Sequence, residues 1–181
     1  MRKNILILLA AAGALAACSG GEGGNQAGNQ AEAAGEGTIA SSLGGDTSTF
    51  QELAKAAGLD VTLEGPGPYT VLIPVNDAFA KLPAGALDTL KKPESRPQLT
   101  KVLTMHILSG AVLAEDIAKA IDNGGGKTQL MSVGGDTLTA TKDGDSIVIT
   151  DAAGGKAVVK TADQKHSNGV VHLVDGVLTP A

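Results

Sequence analysis

The sequence predicts an α+β domain in which helices come first and strands follow. Apolar residues recur with the period of an amphipathic helix between residues 48 and 121. After the run Gly124-Gly125-Gly126, short segments rich in β-branched residues alternate with turns that contain Gly and Asp. One strand-like segment, residues 69–73, lies among the helices and is almost continuously apolar. A chain that separates its helices from a later set of strands belongs to the α+β class.

The helices of the first half are predicted from apolar spacing and from residues that start or stop helices. Thr47 or Ser48 can cap the first helix, and Gly58 ends it. The apolar positions of this helix are Phe50, Leu53, Ala54 and Ala57. Asn76 is predicted to cap the next helix, with Asp77 at the favourable N-terminal end of its dipole. In all, helices are expected over residues 48–57, 77–82, 84–90, 96–106 and 114–121.

The strands are predicted from apolar and β-branched runs bounded by turn residues. The first strand covers residues 69–73, follows a Gly-Pro-Gly-Pro turn and ends at Pro74; burial on both faces is expected for such an apolar run. The later strands are expected at residues 128–133, 137–141, 146–150, 156–161 and 170–174. Because Gly- and Asp-rich turns separate them, these five strands are predicted to form an antiparallel meander.

The N-terminal 17 residues read as a bacterial secretion signal. Arg2 and Lys3 supply the positive charge, the apolar run that follows is too short to span a bilayer, and small residues precede Cys18. Leu-Ala-Ala-Cys resembles the lipobox of bacterial lipoproteins, which implies that cleavage leaves Cys18 as an acylated first residue. The alternative is an ordinary signal peptide that contains a cysteine. Ser19, rather than Asp, follows the cysteine, which resembles the pattern of Gram-negative lipoproteins sent to the outer membrane.

Residues 18–37 are predicted to be a flexible linker, because they are rich in Gly, Asn, Gln and Glu and contain no large apolar side chain. Such a linker spans roughly 25 Å. The mature chain from residue 18 has 12 basic and 19 acidic residues, so repulsion from nucleic acid and from anionic lipid surfaces is expected. With one Tyr, two Phe and no Trp, the chain also lacks the aromatic platform that single-stranded nucleic acid needs. A single cysteine excludes an internal disulfide framework and a cysteine-based zinc site.

Three segments of residues 38–181 stand out as motifs: residues 69–79 (YTVLIPVNDAF), residues 103–110 (LTMHILSG) and residues 168–180 (NGVVHLVDGVLTP). In this order they resemble the first signature, the central histidine segment and the second signature of the fasciclin (FAS1, beta-Ig-H3) domain family. The motif positions are Tyr69, Pro74, Phe79, His106, Asn168, Gly169, His172 and Asp175. The resemblance implies a wedge-shaped β-sandwich with helices packed along one edge, in modules that mediate adhesion in secreted, matrix and cell-surface proteins. The family often has Tyr before the central His; Met105 stands there instead, which argues against integrin recognition of the animal type.

Two patches are candidates for binding a partner: Met105 with His106, and Asn76 with Asp77. The competing interpretation of His106 and His172 is that both are core histidines, satisfied by polar groups such as Asn76, Asp77 or Asp175. For Asn76 and Asp77 the competing role is helix capping. The structural interpretation is favoured in each case, because neither histidine lies in a cluster with metal-ligand spacing. His166, in a Lys-His-Ser-Asn turn, is expected to be solvated.

No set of residues with catalytic spacing, no metal site and no cofactor motif is present in the sequence, so the chain is predicted not to be an enzyme. The predicted function is that of a lipid-anchored protein of the cell envelope that mediates cell adhesion or binds a surface or matrix protein. The predicted location is the outer membrane, facing the periplasm or the exterior. The alternative is a periplasmic lipoprotein that binds a small ligand or serves in the envelope stress response.

Overall fold

The computed structural model describes residues 37–180, which form seven helices and seven strands. The helices are α1 (Ile39–Ser42), α2 (Ser48–Ala57), α3 (Asp60–Glu64), α4 (Asn76–Ala80), α5 (Ala86–Leu90), α6 (Arg96–Met105) and α7 (Ala114–Asn123). The strands are β1 (Tyr69–Pro74), β2 (Ile107–Ser109), β3 (Lys127–Met131), β4 (Thr137–Asp143), β5 (Ser146–Thr150), β6 (Lys156–His166) and β7 (Gly169–Val174). The predicted α+β class is confirmed. None of the helices within this range is long and apolar enough to cross a membrane.

The sheet contains the antiparallel meander that the sequence predicted, formed by β3 to β7, and β1 and β2 extend it. Its strand order is β2-β1-β7-β6-β5-β4-β3. Strands β1 and β7 pair in parallel, whereas β1 pairs antiparallel with β2 and β7 pairs antiparallel with β6. The first apolar strand therefore lies inside the sheet, between the edge strand β2 and the last strand of the chain. A bridge between Leu108 and Ser132 also links β2 to the residue that follows β3, so the sheet nearly closes on itself. The result is the predicted sandwich with helices along one side.

Helix α2 has the predicted bounds, but its start is not capped as expected. Gly58 adopts a left-handed conformation (φ 75°) and ends the helix. The Thr47 side chain makes no capping hydrogen bond to α2; its hydroxyl instead donates to the Gly44 carbonyl and accepts from the Gly44 N–H. The group that satisfies the first turn of α2 comes from another part of the chain, as described below.

Two apolar cores lie on opposite faces of β1. Val71 and Ile73 pack against the helices, together with Phe50, whereas Leu72 lies in the interior of the folded sheet with Leu138. Both faces of the strand are buried, which explains why its sequence is continuously apolar. Full burial of one such side chain stabilises the fold by about 1.5–3 kcal/mol.

Candidate functional site

Asn76 caps a helix, but not its own. Its side-chain oxygen accepts a hydrogen bond from the backbone N–H of Thr49 at 3.1 Å, in the first turn of α2. Its amide nitrogen donates to the Gly45 carbonyl at 3.0 Å and lies 3.3 Å from the Ser48 hydroxyl oxygen. Helix α4, which begins at Asn76, has no side-chain cap. The predicted capping of α4 by Asn76 is therefore wrong, and the side chain is engaged within the domain.

Asp77 is the only member of the predicted binding patches with an exposed side chain. It lies in the first turn of α4, where a carboxylate complements the helix dipole. Met105 and His106, in contrast, both have 0% exposure. The end of α6 turns both side chains into the cores, so a partner cannot contact them in this fold. The prediction of a binding patch at Met105 and His106 is therefore wrong.

His106 is held entirely by backbone groups. Its Nδ1–H donates to the Val102 carbonyl at 2.8 Å, and its Nε2 accepts from the Leu178 N–H at 3.1 Å. This pairing requires a neutral ring with the proton on Nδ1. Burial lowers the pKa of His106 to about 4, although the Val102 carbonyl and Asp151 act in the opposite direction. The ring also makes an edge contact with Phe50, with centroids 6.4 Å apart. His106 thus connects α6, α2 and the C-terminal segment.

His172 makes the same kind of connection on β7. Its Nε2–H donates to the Val112 carbonyl at 2.9 Å, and its Nδ1 accepts from the Asp163 N–H at 3.2 Å. Burial lowers the pKa of this ring, opposed by the Val112 carbonyl and the Asp163 carboxylate. The partners of both histidines are backbone groups rather than the side chains of Asn76, Asp77 or Asp175 that the sequence suggested.

His166 is not solvated as expected. It is 9% exposed at the end of β6, and neither ring nitrogen has a hydrogen-bond partner among the described residues. Burial lowers the pKa of the ring. The turn that follows, Ser167 and Asn168, is hydrogen-bonded to Gly37 and Ile39 at the start of the domain.

Asn168 and Gly169, in the second signature, join the two ends of the domain. The Asn168 side chain accepts from the Ile39 N–H at 2.9 Å and donates to the Leu63 and Gly65 carbonyls at 2.7 and 3.0 Å. Gly169 (φ 156°) leaves no room for a side chain, because a Cβ there would overlap the Tyr69 carbonyl oxygen. These two residues hold the start of β7 against the start of β1.

Asp175 and the other motif positions are also engaged inside the domain. The Asp175 carboxylate accepts from the Val158 N–H at 2.9 Å and pairs with Lys160 and Lys81 at 3.2 and 3.5 Å. Burial alone would raise the pKa of Asp175, but this hydrogen bond and the two lysines outweigh it, so the pKa lies below its usual value. The remaining positions are Tyr69 and Pro74, which begin and end β1, and Phe79, which lies in the helical core.

A surface that the sequence analysis missed lies at the β3–β4 hairpin, residues 131–137. Met131 is 71% exposed and Val133 is 48% exposed, while Ser132 between them is 5% exposed. The hairpin packs on the central segment: the Val133 N–H donates to the Ile107 carbonyl at 2.7 Å, and the Gly134 N–H donates to the Thr104 carbonyl at 3.3 Å. Met131 and Val133 lie on either side of Ser132, which is the alternation of apolar and polar residues typical of a strand. This pattern in the sequence could have revealed an apolar outer face.

The described residues hold no group of three or more His, Cys, Asp or Glu side chains placed to bind a metal ion. Two cavities open to solvent stand out among residues 37–180. One, of about 310 Å³, is lined by Ala56, Lys91, Lys92, Pro93, Arg96 and Leu99. The other, of about 460 Å³, lies at the start of β3, beside Gly124 and Lys127. Neither is an apolar pocket between the helices and the sheet.

The family model described as Fasciclin domain matches residues 45–180. The chain therefore belongs to the fasciclin domain family. A solved FAS1 domain pair from the insect cell adhesion molecule fasciclin I has a TM-score of 0.57 and 23% identity, over 74% of this chain and 45% of that one. This likeness shows the fold, and with it the FAS1-type sandwich predicted from the three motifs is confirmed.

Bacterial and animal relatives share sequence with the domain. Protein sll1483 of Synechocystis is 39% identical over 134 residues, which cover 74% of this chain and 67% of that protein. The transforming growth factor-beta-induced protein ig-h3 of Sus scrofa is 36% identical over 73% of this chain, but the match spans 17% of the relative. The immunogenic protein MPB70 of Mycobacterium bovis is 33% identical over 63% of this chain and 51% of the relative.

Proposed function

We propose that this chain is a lipid-anchored, non-catalytic protein of a bacterial cell envelope that binds a protein or matrix partner and thereby mediates adhesion. Its domain belongs to the fasciclin domain family, and the solved relative of the same fold is an insect cell adhesion molecule. The proposed anchor is an acylated Cys18, and the proposed location is the outer membrane. Cys18 and the linker through residue 36 lie outside the described residues.

One observation supports binding at a particular surface. Three large apolar side chains are exposed among the described residues, and two of them, Met131 and Val133, are on the β3–β4 hairpin. Exposed apolar side chains on a rigid element are what a protein interface uses as anchors. Hydrogen bonds to Ile107 and Thr104 fix the hairpin on the central segment, so these side chains are presented on a supported surface.

The proposed partner contact is thus the hairpin, which is hydrogen-bonded to the backbone on either side of Met105 and His106, and not those two residues themselves. Met105 and His106 are buried beneath this surface, and the backbone carbonyls next to them accept the hairpin's hydrogen bonds. The alternative of a periplasmic small-ligand lipoprotein called for an apolar pocket between helices and sheet, and neither of the two cavities described above is of that kind.

The test compares surface attachment and aggregation of cells that carry different versions of the chain. The double variant Met131→Ser/Val133→Ser should lose most of the attachment that the wild-type chain confers. Val61→Ser is the matched control, because Val61 is also 71% exposed but lies on α3, away from the hairpin. Equal attachment by the double variant and the wild type, at equal surface amounts, would remove the hairpin from the proposal.

A further inference from the structure

A run of basic residues borders the cavity between α2 and α6. Residues 91–101 contain four basic residues and one acidic residue, whereas residues 37–180 as a whole contain 12 basic and 16 acidic residues. Lys91, Lys92 and Arg96 line the cavity, and Ala56 and Leu99 contribute apolar surface to it. We call these three basic residues and the cavity of about 310 Å³ that they line the basic pocket.

The basic pocket keeps free donors after its internal contacts are made. The Lys91 ammonium pairs with Glu52 at 3.0 Å, and the Arg96 Nε–H donates to the Ala56 carbonyl at 2.9 Å. That hydrogen bond fixes the guanidinium at the end of α2, and its other N–H groups make no hydrogen bond with a described residue. Lys92 is exposed, and its side chain makes no hydrogen bond or ion pair with another described residue. Two cations above an apolar floor suit an anionic group that is attached to an apolar body.

The position of the pocket in the fold indicates where that anion comes from. The N-terminal segment enters the domain at Gly37, whose carbonyl accepts from both the N–H and the hydroxyl of Ser167 at 2.9 Å. Helix α3 contacts α1, which follows Gly37, and also α2, which carries Ala56. The helix that follows the tether and the helix that carries Ala56 are therefore linked through α3, and a tether that spans roughly 25 Å places its membrane within reach of the pocket.

We infer that the basic pocket docks the domain on the anionic phospholipid headgroups of the membrane that carries it. This inference rests on the proposed lipid anchor. The phosphate would accept from Lys92 and Arg96, and the apolar floor would face the upper part of the lipid. Net charge alone led to an expectation of repulsion from anionic lipid, which this inference replaces. Because charges more than about 8–10 Å away are screened at physiological salt, the basic residues nearest to the lipid determine whether the domain is attracted or repelled.

Docking in this way would leave the partner surface free. Arg96 begins α6, and the hairpin packs near the other end of the same helix, at Thr104 and Ile107. At 1.5 Å per residue the two ends are separated by about 14 Å. A domain held by the basic pocket would therefore keep the hairpin, with Met131 and Val133, about one helix length away from the lipid contact.

The experiment measures binding of the mature chain, residues 18–181 without an acyl group, to lipid vesicles. Both apolar cores lie within residues 37–180, so the folding unit is intact in this chain. One vesicle is phosphatidylcholine alone; in the other a third of the lipid is phosphatidylglycerol. We expect binding to the anionic vesicle only, and Lys92→Gln should weaken it about fivefold. Lys127→Gln, which removes an exposed lysine on β3, should change it less than about twofold.

Three results would overturn the inference: equal binding to both vesicles, equal weakening by Lys92→Gln and Lys127→Gln, or release by inorganic phosphate beyond that caused by chloride at equal ionic strength. The last would indicate a site for free phosphate rather than a membrane contact. Failure of the anchor is recognised separately, because it would appear as a missing acyl group on Cys18 and would leave vesicle binding by the unacylated chain unchanged.

Discussion

The Asn76 side-chain oxygen caps helix α2 from a distance of 27 positions along the chain, through a 3.1 Å hydrogen bond from the Thr49 N–H. The same side chain donates to the Gly45 carbonyl at 3.0 Å. Asn76 lies two residues after Pro74, the last residue of β1, so it fixes the start of α2 near the end of that strand. The most recognisable polar position of the first signature is therefore explained by the architecture of the domain.

Asn76→Ala should lower the free energy of unfolding by about 1–2 kcal/mol, because it leaves the first turn of α2 without its cap. Asn76→Asp keeps the acceptor but loses the donor to Gly45, so its loss should be smaller. Urea unfolding followed by circular dichroism measures both. Asn123→Ala, an exposed asparagine at the end of α7, is the control and should change stability little. Equal stabilities of Asn76→Ala and the wild type would contradict the capping role.

The buried ring of His106 makes stability depend on pH in a defined window. Its pKa of about 4 in the folded state is below the ordinary value of 6.5 that the unfolded chain has. The folded state therefore holds fewer protons, so the contribution is complete above pH 6.5 and is lost as the pH falls toward 4. The loss should amount to about 3 kcal/mol.

The variant His106→Gln removes this titration. It should be less stable than the wild type at neutral pH, because the ring's packing against Phe50 is lost, and the gap between the two should narrow as the medium is acidified. The remaining slope belongs to His172, whose pKa is also lowered, and to the carboxylates. Unfolding curves in urea across this pH range measure the gap. A gap that stays constant would mean that His106 does not titrate as described.

Gly169 and Gly44 form a matched pair that isolates a steric effect. Their φ values are 156° and 154°, so alanine at either position meets similar backbone strain, about 1–3 kcal/mol. Only at Gly169 would the new Cβ overlap the Tyr69 carbonyl oxygen; at Gly44 nothing lies within 4 Å. Gly169→Ala should therefore lose about 2 kcal/mol more than Gly44→Ala, or fail to fold. Similar losses would show that β1 and β7 do not approach so closely.

Cys18→Ala should abolish labelling of the protein with a radioactive fatty acid and shift it from the membrane fraction. More than one acyl chain on the cysteine is needed for stable anchoring, since each buried methylene contributes about 0.8 kcal/mol. Ser19→Ala is the control and should keep both the label and the membrane association. A Cys18→Ala chain that retains its label would exclude acylation at this position.

Local patterns predicted the elements better than the pairings between them. Helix α2, with its apolar repeat and Gly58, and strand β5 were obtained with their observed bounds. Strand β2 has three residues directly after a helix, which is too short for a period to be visible. Strand β6 runs on to His166 through polar residues, because register shifts and a left-handed Asp163 (φ 59°) carry it past the predicted end.

The candidate site was missed for a related reason. The motif residues are prominent in the sequence, but His106, His172 and Asn168 are buried and bonded to backbone groups far along the chain. Such bonds leave no trace in periodicity or spacing. The exposed pair Met131 and Val133 is marked only by two apolar residues around one serine, a signal that acquires meaning once the hairpin is seen to lie on the outside.

The most direct test of the central claim is photo-crosslinking on intact cells with a lipid-anchored chain that carries the crosslinker at position 133 or, as the control, at position 61. The account predicts a discrete crosslinked partner from position 133 only, and loss of that product when excess wild-type mature chain is added but not when excess Met131→Ser/Val133→Ser chain is added. The same products from both positions, or none from position 133 in cells that still attach, would contradict partner binding through the β3–β4 hairpin.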